Sequence, residues 1–106
     1  MDRLTTLLEF YEQDPTDPFN AYALALEYRK NNASRALRYF EALLRDFPAY
    51  LPTYYHAAQL YAALGQDEAA RRTYQTGIER AQQAGQAHAL RELRAAYQQW
   101  SDEHDA

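Results

Sequence analysis

The sequence contains no cysteine and no valine, and each absence excludes a class of structure. Without cysteine there can be no disulfide framework, thiolate metal site or cysteine nucleophile. Ile78 is the single isoleucine, so the β-branched aliphatic residues typical of strands are nearly missing. Alanine and leucine, which favour helices, occur 20 and 13 times. The composition therefore predicts an all-α fold.

Positive charge is also scarce. The 106 residues, about the length of one domain, carry 11 Lys+Arg against 15 Asp+Glu, a net charge of −4 that is shared evenly between the two halves. Because no basic block or face exists, we expect neither a nucleic-acid partner nor binding to an anionic membrane. The chain shows no signal-peptide pattern and no apolar run of membrane-spanning length, so a cytoplasmic location is expected.

Three glycines and four prolines punctuate the chain. The glycines are too far apart to form a phosphate-binding loop. Together with the apolar spacing, these residues predict six helices. Asp17 is expected to cap the second helix with Pro18 as its first residue, and Asn31-Asn32 to supply a left-handed turn. The predicted ranges are 3–13, 18–30, 33–46, 52–65, 67–84 and 86–100, followed by a frayed polar tail at 101–106.

Comparing the sequence with itself reveals a repeat of about 34 residues. Tyr28 and Tyr61 lie 33 residues apart, and Phe40 and Tyr74 lie 34 apart. The pattern resembles the tetratricopeptide-repeat family, whose motif reads W-x2-L-G-x2-Y, then A-x3-F, then P. The residues that carry the resemblance are Ala21, Leu24, Ala25, Tyr28, Ala36, Phe40 and Pro48 in the first copy, and Tyr54, Ala57, Ala58, Tyr61, Ala70 and Tyr74 in the second.

The resemblance implies an α-solenoid, a superhelix of antiparallel helix hairpins. Two helices of a hairpin can approach closely only where small residues face the contact, so Ala25, Ala36, Ala58 and Ala70 are expected to be buried. We expect a single domain over 1–106. It would consist of a flanking helix at 1–16, repeats at 17–48 and 49–84, a capping helix at 85–101 and a tail at 102–106.

Few residues have the types and spacing that catalysis or metal binding requires. His88 and Glu92 lie one helical turn apart, which is typical of a solvated pair on a helix surface. The acidic segment 102–105, which includes His104, could hold a divalent cation weakly, but a solvated tail is the favoured interpretation. The tyrosines are interpreted mainly as packing residues. We therefore expect no enzyme, no metal and no cofactor.

A concave groove is the remaining candidate site, because in the resembled family the first helix of each hairpin lines an inner surface that binds peptides. A protein or peptide is thus the expected partner, unless these are ordinary surface or packing residues. The Lys, Asn and Arg residues with which one subtype of the family binds a C-terminal carboxylate are absent. The candidate groove residues are Tyr22, Leu26, Arg29, Tyr55, His56 and Gln59.

A second hypothesis makes the chain a structural module that forms a weak homodimer or larger oligomer. The short stack would then complete itself by docking its first or last helix on a second copy. Phe10, Tyr97 and Trp100 are the apolar residues that such a contact would use. If instead the last helix caps the stack, Trp100 is expected to be covered within the monomer.

Overall fold

The structure, a computed structural model, describes residues 2–105. The described residues form six α-helices and no strand, which confirms the predicted all-α class. Five of the six begin at the residue that the sequence predicted, and α6 begins one residue later. The helices are α1 Arg3–Gln13, α2 Pro18–Arg29, α3 Ala33–Asp46, α4 Pro52–Ala63, α5 Asp67–Gln83 and α6 Ala87–His104.

Local capping explains most of the boundaries. The Asp17 carboxylate accepts a hydrogen bond from the Phe19 backbone N–H at 3.0 Å, and Pro18 is the first residue of α2, as predicted. Gly65 follows the end of α4 with a φ of 75°, and Gly85 follows the end of α5 with a φ of 68°. Glycine adopts this left-handed conformation without the steric cost that other residues incur.

The prediction of a left-handed turn at Asn31-Asn32 is wrong. Among residues 2–105 only glycines have a positive φ. Asn32 instead caps α3, because its side-chain oxygen accepts a hydrogen bond from the Arg35 backbone N–H at 3.1 Å. The backbone N–H groups of Asn31 and Asn32 both donate to the carbonyl of Tyr28 and close the turn. A short amide side chain satisfies the start of the next helix here, so no residue has to turn left-handed.

The described residues form two compact units, one up to Tyr50 and one from Leu51 onward. In the first unit α2 and α3 form a hairpin, and α1 packs on α2. In the second unit α4 and α5 form the hairpin, and α6 packs mainly on α5. Connections of three residues within each hairpin make its two helices antiparallel.

The small residues lie where the sequence analysis placed them. Ala25, Ala36, Ala58 and Ala70 are completely buried, with no exposed surface. Leu24 and Phe40 are equally buried and fill the space beside the alanines in the first unit. Burying each such large apolar side chain contributes about 1.5–3 kcal/mol. The alanines set how closely the helices approach, and the large residues provide most of the apolar burial.

Gly77 lies inside α5, as the predicted range of the fifth helix implied, and its role there is in packing. A Cβ atom at this position would lie 2.6 Å from the Cβ of Tyr54 on α4 and 3.3 Å from the Cδ1 of Leu93 on α6. No real Cβ atom is accommodated at the first distance. The absence of a side chain therefore lets Tyr54 and Leu93 pack directly against the α5 backbone, at some cost in helix propensity.

We predict that Ala58→Leu destabilises the fold by about 1–3 kcal/mol, since a larger side chain overpacks a contact that has no free space. Urea denaturation followed by circular dichroism measures the effect. Ala63→Leu is the matched control, because Ala63 lies on the same helix but is exposed, and its change is expected within about 0.5 kcal/mol. Equal stability of the Ala58 variant and the parent would contradict this assignment of the helix contact.

Candidate functional site

The candidate residues of the first unit lie on α2. Tyr22, Leu26 and Arg29 are each half-buried, so part of every side chain reaches solvent. The Tyr22 ring meets the Tyr50 ring edge-on, with centroids 5.6 Å apart, and lies 6.5 Å from the ring of Phe19. Burial raises the pKa of Tyr22 above its ordinary value. We call Tyr22, Leu26 and Arg29 the α2 surface.

Charges at the end of α2 are paired. Glu27 accepts hydrogen bonds from Lys30 at 3.0 Å and from Arg3 at 3.2 Å. The hydrogen bond from Lys30 is the main cause that lowers the pKa of Glu27, and Arg3 adds to it. Arg29 is also engaged in interactions within the chain. The basic residues near the α2 surface therefore already interact with other groups of the chain.

The candidate residues of the second unit lie on α4. Tyr55, His56 and Gln59 are half-buried, and the rings of Tyr55 and His56 meet edge-on with centroids 5.3 Å apart. α4 starts at Pro52 without a side-chain cap, and the backbone N–H of Tyr54 in its first turn donates to the carbonyl of Leu51 at 3.2 Å. We call Tyr55, His56 and Gln59 the α4 surface. It combines an aromatic pair with an amide, which suits contacts to a polypeptide.

The sequence analysis missed an apolar depression beside the α2 surface. It has a volume of about 460 Å³ and lies wholly in the first unit. Phe19 follows Pro18, which lines the depression, and its side chain is 56% exposed, a high fraction for a large apolar residue. The signal available in the sequence was the recurrence of proline and aromatic residues at 18–22 and 47–50. The residues that line the depression are Pro18, Asp46, Phe47, Pro48, Ala49 and Tyr50.

The end of α6 differs from the predicted frayed tail, which began at Ser101. The helix continues to His104, and Asp105 follows it; Ala106, the last residue of that predicted tail, lies outside the described residues. Arg71 of α5 holds the carboxylate of Asp105 through two hydrogen bonds of 3.0 and 3.1 Å. Ser101 donates a further hydrogen bond to Asp105 at 2.8 Å. Contacts with α5 therefore order a turn that its sequence alone would leave mobile.

Trp100 is the centre of this arrangement and is only 7% exposed, as the capping hypothesis predicted. The Arg71 guanidinium lies 5.1 Å from the centre of its ring, and the His104 ring stacks on it at 4.8 Å. Tyr74 and Tyr97 contact it at 6.1 and 6.3 Å. A cation over an indole face and stacked rings are both attractive. We call Arg71, Trp100, His104 and Asp105 the C-terminal clasp.

The two polar groups considered for catalysis or metal binding have ordinary roles. His88 and Glu92 form an exposed pair at 3.0 Å one turn apart, as the interpretation of a solvated pair predicted. In the acidic segment Asp102 accepts a hydrogen bond from Gln98, and Asp105 belongs to the clasp. Residues 2–105 contain no group of three or more side chains suited to a metal ion. Within the same residues no helix is both long and apolar enough to cross a membrane.

Comparisons with known proteins agree with this architecture of helical hairpins. The family model of the tetratricopeptide repeat matches residues 27–104. A tetratricopeptide repeat domain protein from Salinibacter ruber, solved by NMR, is 46% identical with a TM-score of 0.80, over 84% of this chain and 91% of that one. A crystal structure of a tetratricopeptide repeat domain protein from the same organism is 45% identical with a TM-score of 0.77, over 81% and 97%. A protein from Bordetella parapertussis shares the fold, with a TM-score of 0.81 at 19% identity, over 97% and 90%.

No curated protein matches the chain at a significant level. The extent of the family match nevertheless defines the class, a repeat of helical hairpins that generally mediates protein–protein interaction and is generally not catalytic. The chain belongs to the tetratricopeptide-repeat family. This confirms the resemblance found in the sequence, and it identifies a short domain similar to bacterial ones.

We predict a pH response of the C-terminal clasp. Hydrogen bonds from Arg71 and then Ser101 lower the pKa of Asp105 below its ordinary value of 3.8. The folded pKa lies below the unfolded one, so this contribution to stability is complete above the unfolded pKa and disappears as the pH falls through the folded pKa. On acidification from pH 7 to below about 3, Trp100 fluorescence is expected to shift to the red as the clasp opens.

The variant Asp105→Asn isolates this effect, because it removes the charge and keeps the shape. Its Trp100 emission at pH 7 is expected to lie to the red of the parent and to change less on acidification. Glu103→Gln is the matched control, an exposed carboxylate two residues away, and should behave like the parent. Identical titrations of the parent and Asp105→Asn would show that the ion pair does not hold the end of α6.

Proposed function

We propose that this chain is a scaffold or adaptor for a partner protein, in which the α2 surface of the first unit and the α4 surface of the second unit each act as a binding surface for a segment of a partner. The observation that carries the proposal is that each surface presents half-exposed aromatic rings held by other rings. Tyr22 is supported by Tyr50 and Phe19, and Tyr55 is supported by His56. The coarse role of the family supports the same conclusion.

Tyrosine suits this task for a physical reason. Its ring offers a large contact area with few rotatable bonds, so little conformational entropy is lost when a partner covers it. A ring already fixed by a neighbour loses even less, and anchors of this kind dominate many interfaces. The amide of Gln59 and the imidazole of His56 add groups that can hydrogen-bond to a peptide backbone. Helices fold before binding, so the surfaces are preorganised.

Photo-cross-linking tests this proposal. A photoreactive amino acid at Gln59, in an extract of the source organism, is expected to capture a discrete partner that mass spectrometry can identify. Gln98, exposed on α6, is the control position and should not capture it. Equal capture from both positions, or no specific capture from Gln59, would contradict the proposal.

The partner so identified allows a quantitative prediction. The double variant Tyr55→Ala/His56→Ala is expected to weaken its binding at least tenfold, the scale of an interface anchor, in isothermal titration calorimetry. The fold should stay nearly intact, which circular dichroism checks. The matched control is His88→Ala/Glu92→Ala, an exposed pair on α6, which should leave the affinity unchanged. If the α4 variant unfolds the protein, Tyr55 and His56 are core residues and the assignment of the α4 surface is wrong.

Self-association is the second candidate function, and one observation favours it. Phe10 on α1 is 51% exposed, whereas Trp100 is covered within the chain and Tyr97 is half-buried against it. Of the three residues considered for a contact between copies, Phe10 alone is thus open to solvent. Light scattering over a range of concentrations should show a dimer that Phe10→Glu abolishes. A mass that stays monomeric at every concentration would eliminate this candidate.

A further inference from the structure

The first unit carries a compact aromatic and proline surface, of which the family motif accounts for Pro48 alone. The depression of about 460 Å³ is walled largely by apolar side chains, and the rings of Tyr22 and Phe19 extend this apolar area. We call the whole set the proline–aromatic cradle. Its members are Pro18, Phe19, Tyr22, Phe47, Pro48 and Tyr50.

The cradle is preformed. Pro18 is fixed as the first residue of α2 by the cap that Asp17 provides, and this cap also holds the backbone of Phe19. Tyr50 is held by its edge-on contact with Tyr22 and by a backbone hydrogen bond from its own N–H to the carbonyl of Phe47 at 3.0 Å. Phe19 nevertheless leaves more than half of its surface in water. An exposed ring that extends an apolar depression marks a candidate interaction surface.

Two carboxylates lie at the cradle, those of Asp17 and Asp46. Asp17 accepts a hydrogen bond from the Phe19 backbone N–H at 3.0 Å. Burial first, then Tyr22, and then the nearby carboxylate of Asp17 raise the pKa of the Tyr50 phenol. Asp46 lines the depression, although it also pairs with the neighbouring Arg45 at 3.0 Å. A ligand for this surface should therefore be positively charged next to its apolar part.

We propose that the proline–aromatic cradle binds an extended, proline-containing peptide segment with an arginine or lysine beside the prolines. The prolines would pack on Phe19, Tyr22 and Tyr50, and the cation would lie near Asp17. The inference rests on the proposed function, the binding of a partner segment, and names the chemical class of that segment.

The chemistry of the cradle favours an extended segment over a helix. A proline-rich chain in the polyproline II conformation has no internal hydrogen bonds, and its rings dock on aromatic surfaces. Its carbonyls point outward and need donors, which protonated phenols can supply. An amphipathic helix would need a long apolar groove for anchors spaced over two turns. The depression is confined to one end of the α2–α3 hairpin and suits a shorter contact.

Fluorescence anisotropy with a synthetic peptide tests the proposal on the whole chain. The probe is fluorescein-labelled Ala-Pro-Pro-Leu-Pro-Pro-Arg-Ala. Two control peptides keep its length: one replaces every proline with alanine, and the other replaces arginine with glutamate. The probe is expected to bind at least tenfold more tightly than either control. If the alanine peptide binds as well as the probe, or if no peptide binds at millimolar protein, the proposal is overturned.

Variants of the chain locate the site. Phe19→Ala removes an exposed ring and is expected to weaken probe binding at least tenfold while thermal unfolding stays unchanged. Leu64→Ala is the matched control, another exposed large apolar residue, which lies in the second unit, and it should bind like the parent. Asp17→Asn keeps the helix cap but removes the charge, so a loss of about two- to fivefold that vanishes at high salt is expected. Equal effects of Phe19→Ala and Leu64→Ala would overturn the assignment.

This test is separate from that of the proposed function. Partner binding that depends on Tyr55 and His56, combined with no preference for the proline peptide, would retain the scaffold and reject the cradle as a proline site. Probe binding that Phe19→Ala abolishes would support the cradle even if the α4 variant left partner capture intact. In that second case the α4 surface, and with it that part of the proposed function, would be rejected.

Discussion

The close approach of α4 and α5 at small residues is the constraint on which the second unit depends. Gly77 brings the α5 backbone so near Tyr54 that a methyl group would not fit. Ala58 and Ala70 are completely buried, as are Ala25 and Ala36 in the first unit. Helices that approach this closely gain dense packing along their whole length, since interiors tolerate few voids. The repeat of the sequence therefore corresponds to a repeat of helix contacts at small residues.

Large rings such as Phe40, Tyr54 and Tyr74 are buried beside these small residues, while other rings lie at the edges of the hairpins. Tyr28 stacks on Tyr39, and Tyr39 in turn contacts Arg35 electrostatically through its phenol. At the start of α2 the rings of Phe19 and Tyr22 contact each other and reach solvent. The rings that reach solvent at the start of α2 are held in place by contacts with neighbouring rings.

The C-terminal clasp explains why the end of α6 is ordered although its last residues are polar. Residues 101–105 contain no large apolar side chain, yet the segment stays helical to His104. Arg71 contacts both the Trp100 ring and the Asp105 carboxylate. One side chain thus covers the indole and neutralises the carboxylate. Its pKa is raised, first by its hydrogen bonding to Asp105, so the guanidinium stays charged at every ordinary pH. The indole is covered while the outer face of α6 remains polar.

The sequence by itself determined the helical class and the six helices, because helix propensity, proline and glycine act within a few residues along the chain. It also determined the cap at Asp17 for the same local reason. The 34-residue repeat and the family resemblance it carries marked the alanines that are buried. Only the tertiary structure decided that Gly77 is a packing residue, that α6 continues to His104, and that proline and aromatic residues from 18–22 and 47–50 meet in one depression. Each of these depends on side chains from a neighbouring helix or a distant stretch of the chain, and such contacts leave no periodic signal in either segment alone.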